Sequence, residues 1–212
     1  MKRLAMLVVG VLAVLALSSA SAIDMVEGKQ YIRIKNAQPP EKGKKIEVIE
    51  FFSYGCPHCN DLEPFLQAWV KTAPADVQFV RVPVTFQTQW IALAKIYYTL
   101  DAMGEAQRLS PEVFKAIHVS GVQLNQDKVF FDWAASKGLD RAKVADIYGS
   151  FAIDSKLKRA KVLAQDYNVQ AVPTLIVDGR FITSSSSLSG GHSSVPAALD
   201  ALVAKARAER GG

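Results

Sequence analysis

Cysteine is scarce in this sequence. Its 212 residues include two cysteines, and both lie in one four-residue stretch, Cys56-Pro57-His58-Cys59. A framework of several structural disulfides is therefore excluded. A structural zinc site is disfavoured, because it takes four ligands and commonly two cysteine pairs. Covalent haem attachment is excluded as well, since it needs a histidine directly after the second cysteine, and position 60 is Asn60.

Long apolar segments are missing beyond the N-terminus. Lys2 and Arg3 precede one apolar run, residues 4–17, which is followed by the small-x-small triplet Ala20-Ser21-Ala22. A run of this length falls short of the roughly 20 residues that span a bilayer. The order of basic residues, apolar run and small residues is that of an export signal. We therefore expect residues 1–22 to be a signal peptide that is cleaved after Ala22.

The chain also lacks a concentrated charge and an internal repeat. Twenty-five Lys and Arg residues against 20 Asp and Glu residues give a formal net charge of +5, and the basic residues are spread among the acidic ones. Proteins that bind nucleic acids usually gather basic residues on one face or in one stripe. Nucleic acid is therefore not an expected partner.

The first part of the mature chain shows the patterns of three strands and one helix. Polar and apolar residues alternate in two runs, and a nearly continuous apolar run lies between them. After Pro57, an apolar stripe at helical spacing predicts a helix that packs on the sheet. The predicted strands are residues 30–35, 46–53 and 77–82.

The following seventy or so residues carry helix signals and no strand pattern. Ser110 before Pro111, Asp127 and Asp140 are candidate N-caps, and Gly138 is a candidate helix end. We interpret residues 87–159 as an inserted helical domain of about four short helices. Its aromatic residues are better explained as a core than as a cofactor site; they are Trp90, Phe114, Phe130, Trp133, Tyr148 and Phe151.

The C-terminal part returns to a mixed pattern. A further helix is predicted from Asp154 to Tyr167, and Asp178-Gly179 between two apolar runs predicts a hairpin. A Ser/Gly-rich loop leads to a final helix with one apolar face, which comprises Leu199, Leu202, Val203 and Ala206. The expected organisation is therefore an α/β domain in two halves, residues 23–86 and 160–212, separated by the helical domain.

The dithiol itself predicts redox chemistry. Two thiols at positions i and i+3 at the start of a helix can be bridged with little backbone movement. We expect Cys56 to be exposed at the helix terminus, where free N–H groups and the helix dipole favour its thiolate, and Cys59 to be more buried and to keep its proton. Cys56 would then exchange with the substrate, and Cys59 would resolve the mixed disulfide.

The helix terminus alone is too weak to make this pair a strong oxidant. A terminal dipole supplies about 0.3 to 1 kcal/mol, or up to about 2 when partly buried, whereas each pKa unit requires about 1.4 kcal/mol. Direct N–H to sulfur bonds and His58 must supply the remainder, and a stabilised thiolate makes the disulfide a stronger oxidant. An inert structural bridge stays open as the alternative, although such small loops gain little stability.

The motifs together identify a family resemblance. With the export signal, the strand Glu50-Phe51-Phe52-Ser53, the Cys-Pro-His-Cys motif and the later Val172-Pro173-Thr174, the chain resembles the periplasmic DsbA family of thiol oxidases. The resemblance implies a thioredoxin fold with a helical domain inserted between its two halves. It also implies that Pro173 is cis and faces the dithiol, so that the backbone of Val172 can bind a substrate's extended chain. Neither the residues nor the resemblance requires a metal or an organic cofactor.

The resemblance also bears on a buried acid and on partners. Glu50 matches the buried acid of the family, and Arg81 on the next strand could neutralise it, where the family commonly has lysine; a proton-transfer role and a structural ion pair both stay open. The implied partners are newly exported, unfolded polypeptides as substrates and a DsbB-like membrane quinone reductase that reoxidises a monomeric, periplasmic enzyme. A disulfide isomerase or reductant, and a chaperone-like binding module with an incidental dithiol, are the alternatives.

Overall fold

The computed structural model describes residues 25–35 and 45–211. The predicted signal peptide, residues 1–22, and its cleavage site lie outside the described residues. Among the helices of the described part, none is both long enough and apolar enough to cross a bilayer.

Within the described residues, five strands form one mixed sheet. They are β1 (Ile32–Arg33), β2 (Ile46–Phe52), β3 (Val77–Pro83), β4 (Thr174–Val177) and β5 (Phe181–Thr183), in the order β1-β5-β4-β2-β3. Only β2 and β3 pair in parallel, and the other neighbours are antiparallel. All seven residues of the central strand β2 are buried, as its nearly continuous apolar run predicts. The predicted first strand, residues 30–35, is shortened to the two residues of β1.

The predicted hairpin is confirmed. Asp178, Gly179 and Arg180 join β4 to β5, and the first two have φ angles of 57° and 62°. Positive φ at both central residues is the geometry of the tight hairpin turn that Asp-Gly favours, because glycine has no Cβ to clash. The Asp178 carboxylate also accepts a hydrogen bond from Arg210 Nε at 3.0 Å, which ties the turn to the C-terminal helix.

In the part of the chain that the structure describes, seven α-helices surround the sheet. They are α1 (Pro57–Thr72), α2 (Thr88–Ala102), α3 (Ala106–His118), α4 (Asp127–Ser136), α5 (Arg141–Tyr148), α6 (Phe151–Asp166) and α7 (Val195–Gly211). Helices α1 and α7 share one core with Val48 and Val177 of the sheet, and the predicted apolar face of α7 is buried there. The second core joins the other helices to residues such as Ile49 and Ile176. The thioredoxin fold with a helical insertion, predicted from the sequence, is confirmed.

The insertion has the predicted aromatic core with one exception. Trp90, Phe114, Phe130 and Tyr148 are buried, and Trp133 packs against them while partly exposed. The prediction for Phe151 is wrong, because its side chain is 80% exposed. It is the first residue of α6, and the stripe that α6 buries begins only at Ile153.

The helix-start signals were correct in part. Asp140 caps α5 by accepting a hydrogen bond from the backbone N–H of Lys143 at 2.8 Å, and Gly138, with φ of 89°, follows the end of α4. The prediction that Ser110 caps a helix is wrong, because α3 begins four residues earlier and contains both Ser110 and Pro111. The Ser110 hydroxyl is engaged elsewhere, as described below.

Other boundaries shift by small amounts. Asp127 is the first residue of α4, and its N-cap is Gln126. Helix α6 begins at Phe151, three residues before the predicted start. The expected boundary between residues 159 and 160 falls inside this helix, so α6 carries residues of both predicted units. The division at that position stays a prediction.

Candidate functional site

The dithiol lies where β2 leads into α1. Cys56 is the N-cap of α1 and Pro57 is its first residue, a position at which the missing proline N–H would have no helical partner. The backbone N–H groups of Cys59 and Asn60 each donate to the Cys56 carbonyl at 3.1 Å. Both cysteines are free thiols in this structure.

The two thiols differ in their surroundings. Cys59 is fully buried, as predicted, but Cys56 is only 6% exposed, so the expectation of an exposed Cys56 is wrong. The covering group is backbone: the carbonyl oxygen of Val172 lies 3.5 Å from the Cys56 sulfur and accepts a hydrogen bond from it when Cys56 is protonated. The Val172-Pro173 peptide bond is cis, as the resemblance implied, and this segment lies directly against the reactive sulfur.

These surroundings move the two pKa values in opposite directions. The pKa of Cys56 is lowered from 9.0 to about 6, first by a hydrogen bond from the Cys59 thiol and then by the backbone N–H groups of Cys59 and His58 and the charge of His58, against the effect of burial. Burial, the hydrogen bond given to Cys56 and the charge of Glu50 raise the pKa of Cys59. Hydrogen bonds to the charged form and desolvation of the other thiol are the physical causes. At neutral pH, Cys56 is the thiolate and Cys59 keeps its proton.

A buried ionic cluster lies beneath the dithiol. Arg81 Nε donates to Glu50 Oε2 at 2.7 Å, which confirms the predicted pairing of these residues across β2 and β3. The same guanidinium also donates two hydrogen bonds to Glu63 of α1. Its Nη1 donates to Oε1 at 3.3 Å, and its Nη2 donates to Oε2 over a shorter distance. Glu63 is 3% exposed and was missed by the sequence analysis. Glu63 follows Leu62 on the buried face of α1, but the sequence does not indicate that Arg81 is its partner.

The cluster carries one acid more than it has bases. Burial raises the pKa of Glu50 to about 7, with Glu63 adding to the rise and Arg81 opposing it. Burial works against the Arg81 charge, but attraction to the two acids outweighs it and raises the Arg81 pKa. Glu50 Oε1 is buried and has no hydrogen-bond partner among the described residues. Glu50 can therefore take up and release a proton near neutral pH, close to the Cys59 thiol that its charge perturbs.

His118 and His192, which are remote from the dithiol in sequence, also contact the site. His58 is exposed, and its ring stacks on that of His192, with centroids 6.2 Å apart and planes 20° from parallel. His118 Nε2 lies 2.8 Å from the carbonyl oxygen of Tyr54, two residues before Cys56, and the Tyr54 hydroxyl is 2.7 Å from Ser110 Oγ. The helical domain thus holds the loop before the dithiol at two points. No local sequence pattern indicates contacts across such separations.

The arrangement does not resemble a metal centre. Within residues 25–35 and 45–211, no group of three or more His, Cys, Asp or Glu side chains is placed to hold a metal ion. His118 and His192 have the roles just described, so neither completes a ligand set with the cysteines. The chemistry open to this site is exchange at sulfur, with a proton-holding carboxyl below it.

Comparisons with known proteins agree with this chemistry. A family model described as "DSBA-like thioredoxin domain" matches residues 47–194. A protein from Bordetella parapertussis named "Thiol:disulfide interchange protein DsbA" is 37% identical over 188 residues, which cover 89% of this chain and 90% of the relative. A protein of the same name from Pseudomonas aeruginosa PAO1 is 38% identical over 201 residues, which cover 92% and 95% of the two chains.

Solved structures show the same likeness. The crystal structure of Pseudomonas aeruginosa DsbA matches with a TM-score of 0.82 and 37% identity, covering 87% of this chain and 96% of that one. The structure of the oxidoreductase DsbA from Xylella fastidiosa matches with a TM-score of 0.79 and 28% identity, covering 87% and 98%. Fold, site geometry and sequence similarity lead to one conclusion: the chain belongs to the family of DsbA-like thioredoxin-domain proteins.

Proposed function

We propose that the protein is a thiol:disulfide oxidoreductase that introduces disulfide bonds into newly exported proteins. The observation that carries the proposal is the unequal pair of thiols, in which Cys56 has its pKa lowered to about 6 while that of Cys59 is raised. Relatives named thiol:disulfide interchange proteins support it across nearly the whole chain.

The reaction is two successive exchanges at sulfur. A substrate thiolate attacks Cys56 in the Cys56–Cys59 disulfide, forms a mixed disulfide, and releases the Cys59 sulfur, which takes up a proton. A second substrate thiolate then attacks the substrate sulfur of the mixed disulfide and releases Cys56 as a thiolate. The substrate loses two electrons and gains a disulfide, while the enzyme gains both electrons as a dithiol.

The low pKa of Cys56 favours this direction. A thiolate of low pKa leaves faster, and stabilising it lowers the free energy of the reduced enzyme relative to the oxidised one. Pro57 and His58 favour the same direction. Pro57, the first residue of α1, holds Cys56 at the helix terminus. His58 gives the Cys56 sulfur a backbone N–H group and a positive charge. Reversing the direction, as a reductant does, would require a less stabilised thiolate.

Three further groups are assigned roles in the same reaction. Glu50 supplies and removes the Cys59 proton as that thiol is released and reoxidised, supported by its burial, its raised pKa and its effect on Cys59. Arg81 holds Glu50 in place through the bond from its Nε. The backbone of Val172, beside the Cys56 sulfur and preceding Pro173, binds the extended chain of the substrate.

The cellular setting follows from the sequence and the resemblance. We place the enzyme in the periplasm as a monomer, exported by a signal peptide that is cleaved after Ala22. A DsbB-like membrane quinone reductase restores the disulfide. The apolar run and small-x-small triplet at the N-terminus support export.

Cysteine variants and a redox titration test the function. Oxidised wild-type protein should oxidise a reduced, unfolded substrate, and Cys56→Ser should lose this activity completely. Cys59→Ala, incubated with a substrate that already contains a disulfide, should accumulate a mixed disulfide through Cys56, because no second thiol of the enzyme resolves it. Equilibration with glutathione should show a disulfide that is easily reduced. A strongly reducing potential would refute the oxidase assignment, and full activity of Cys56→Ser would make the dithiol incidental to a chaperone-like function.

A further inference from the structure

The loop between β5 and α7 brings a second histidine ring to the redox motif. The ring of His192 is stacked on that of His58, with centroids 6.2 Å apart and planes 20° from parallel. Aromatic rings attract each other in offset stacks when their centroids are about 4.5 to 7 Å apart. His192 therefore contacts the Cys-Pro-His-Cys motif from a distant part of the sequence.

The loop determines where His192 lies. Leu188 before it and Val195 after it are buried, so the segment is anchored on both sides of the histidine. Between the anchors, Gly191 has a φ of 60°, in the left-handed region that glycine adopts at little cost. The backbone N–H of Gly191 donates to the Leu188 carbonyl at 3.0 Å. The turn that carries His192 is thus specifically built, although its serine-rich sequence indicates only a loop.

One ring nitrogen of His192 is buried without a partner. The Nε2 atom is shielded from solvent and has no hydrogen-bond partner among the described residues. A proton on this nitrogen would be a buried donor without an acceptor, which is unfavourable. The cationic form of histidine needs a proton on both nitrogens. His192 therefore carries its single ring proton on Nδ1 and presents a neutral ring to His58.

His58 differs from His192 in exposure and in charge. Its side chain is exposed, so water can accept hydrogen bonds from both N–H groups of the protonated ring. The pKa of Cys56 is lowered first by the Cys59 thiol, and the positive charge of His58 adds to that effect. A freely rotating side chain would at times turn this charge away into solvent, where salt screens it. A neutral ring against one face restricts the rotation without adding a second positive charge.

The helices that contact the turn supply no other base near the stack. Both α1 and α7 contact residues 191–194. In α1 the next base after His58 is Lys71, in the last turn, and in α7 the first base is Lys205. The acids are Asp61, which is exposed, and Asp200, which accepts a hydrogen bond from an indole N–H of α1. An effect of His192 on the dithiol is therefore expected to pass through His58.

We propose that His192 is a positioning residue for the exchange reaction, whose neutral ring holds His58 so that the His58 charge stays beside the Cys56 sulfur. This inference rests on the exchange function proposed above and adds a residue to its site. His192 takes no part in the bond changes at sulfur. Because the positive charge favours the thiolate, the stack stabilises the reduced enzyme and makes its disulfide a stronger oxidant.

His192→Leu and His192→Phe form a matched pair of variants. Both side chains are apolar and uncharged, and only phenylalanine has a ring that can stack on His58. The readouts are the equilibrium constant for oxidation of glutathione at pH 7 and the ionisation constant of the Cys56 thiol, followed by thiolate absorbance. His192→Leu should lower each constant about 3-fold, within the range that one stacked pair of rings supplies. His192→Phe should keep the wild-type values.

The same substitution in a His58→Ala background tests the route. If His192 acts through His58, His192→Leu should leave both constants of His58→Ala unchanged. Nuclear magnetic resonance gives a readout that is independent of exchange. The ring of His192 should shift the ring-proton signals of His58, and this shift should disappear in His192→Leu and persist in His192→Phe.

The outcomes separate His192 from the exchange function. Wild-type constants in His192→Leu, equal losses in both variants, or a loss that persists without His58 would each refute the positioning role and leave the exchange function standing. A purely structural role would destabilise the oxidised and reduced proteins alike and leave both constants unchanged. If His192→Leu fails to fold, His192→Ala against His192→Phe decides the question. If the wild-type protein exchanges no disulfide with glutathione, the exchange function is wrong and the positioning role falls with it.

Discussion

Replacing Glu50 with glutamine should change how the stability of the protein depends on pH. Glu50 is fully buried, and its pKa is raised to about 7, mainly by burial. In the unfolded chain the carboxyl ionises near its ordinary value of 4.5. Between these two values the folded protein binds more protons than the unfolded chain, so the free energy of unfolding falls as pH rises. Glutamine has no proton to lose and removes this dependence.

The size of the effect follows from the two pKa values. The interval from 4.5 to about 7, at about 1.4 kcal/mol per pKa unit, corresponds to about 3 kcal/mol of stability lost between pH 4.5 and pH 8. The substitution leaves the rest of the cluster in place, because the glutamine carbonyl can still accept from Arg81 Nε and Glu63 still pairs with the same guanidinium. The new amide needs an acceptor where Oε1 has no partner, which costs about 1 to 3 kcal/mol at every pH.

Urea unfolding of the reduced protein at intervals from pH 4.5 to pH 8 measures the effect. The difference in free energy of unfolding between Glu50→Gln and wild type should shift by about 3 kcal/mol in favour of the variant across this range. The charge of Cys56 contributes to the raised pKa of Glu50, so the comparison is repeated with Cys56→Ser in both proteins. Glu112→Gln is the control, because Lys137 lowers the pKa of this surface carboxyl below the range tested. Parallel curves for Glu50→Gln and wild type would show that Glu50 is ionised throughout and would refute its role as a proton carrier.

Three further predictions address other contacts. The folded pKa of Cys56, about 6 against an ordinary 9.0, means that ionisation of Cys56 contributes about 1.4 kcal/mol of stability to the reduced protein between pH 5 and pH 7; the free energy of unfolding of wild type minus that of Cys56→Ser, measured with urea, should rise by this amount, and a constant difference would contradict it. Arg81→Met leaves Glu63 and a second buried carboxyl without a cation and should lower the free energy of unfolding by about 3 to 5 kcal/mol at pH 8; a loss under 1 kcal/mol would refute a buried ionic cluster. His118→Phe removes the bond to the Tyr54 carbonyl and should cost about 1 kcal/mol in urea unfolding, whereas unchanged stability would mean that the bond contributes nothing.

Local sequence signals predicted the parts of the structure that depend on neighbouring residues. The Asp178-Gly179 turn needs positive φ at consecutive positions, and few residue pairs tolerate this, so the hairpin could be recognised directly. Asp140 could be identified as a helix cap because its partner, the N–H of Lys143, is three residues away. The dithiol motif identified the redox chemistry for the same reason, since both sulfurs lie in one helical turn.

The remaining features depend on contacts that the sequence does not display. Ser110 carries the local signal of a helix cap, yet its hydroxyl pairs with the Tyr54 hydroxyl, 56 positions away. Cys56 was expected to be exposed because a helix terminus usually is, but the carbonyl of Val172 covers it from 116 positions away. Glu63 is a helical acid that is buried, and Arg81 of β3, 18 positions away, binds it. In each case a tertiary partner overrides the local preference.

The direction of the exchange therefore depends more on tertiary contacts than on the four-residue motif. Lowering the pKa of Cys56 from 9.0 to about 6 corresponds to about 4 kcal/mol, and a helix terminus supplies at most about 2. The largest contribution is the hydrogen bond from the Cys59 thiol, to which the amides of the first turn and the charge of His58 add. The opposite shift of Cys59 requires burial and the negative charge of Glu50 from the strand below. The same four residues at the start of an exposed helix would keep the spacing that allows a disulfide but would lose most of the difference between the two thiols, and with it the preference for oxidising others.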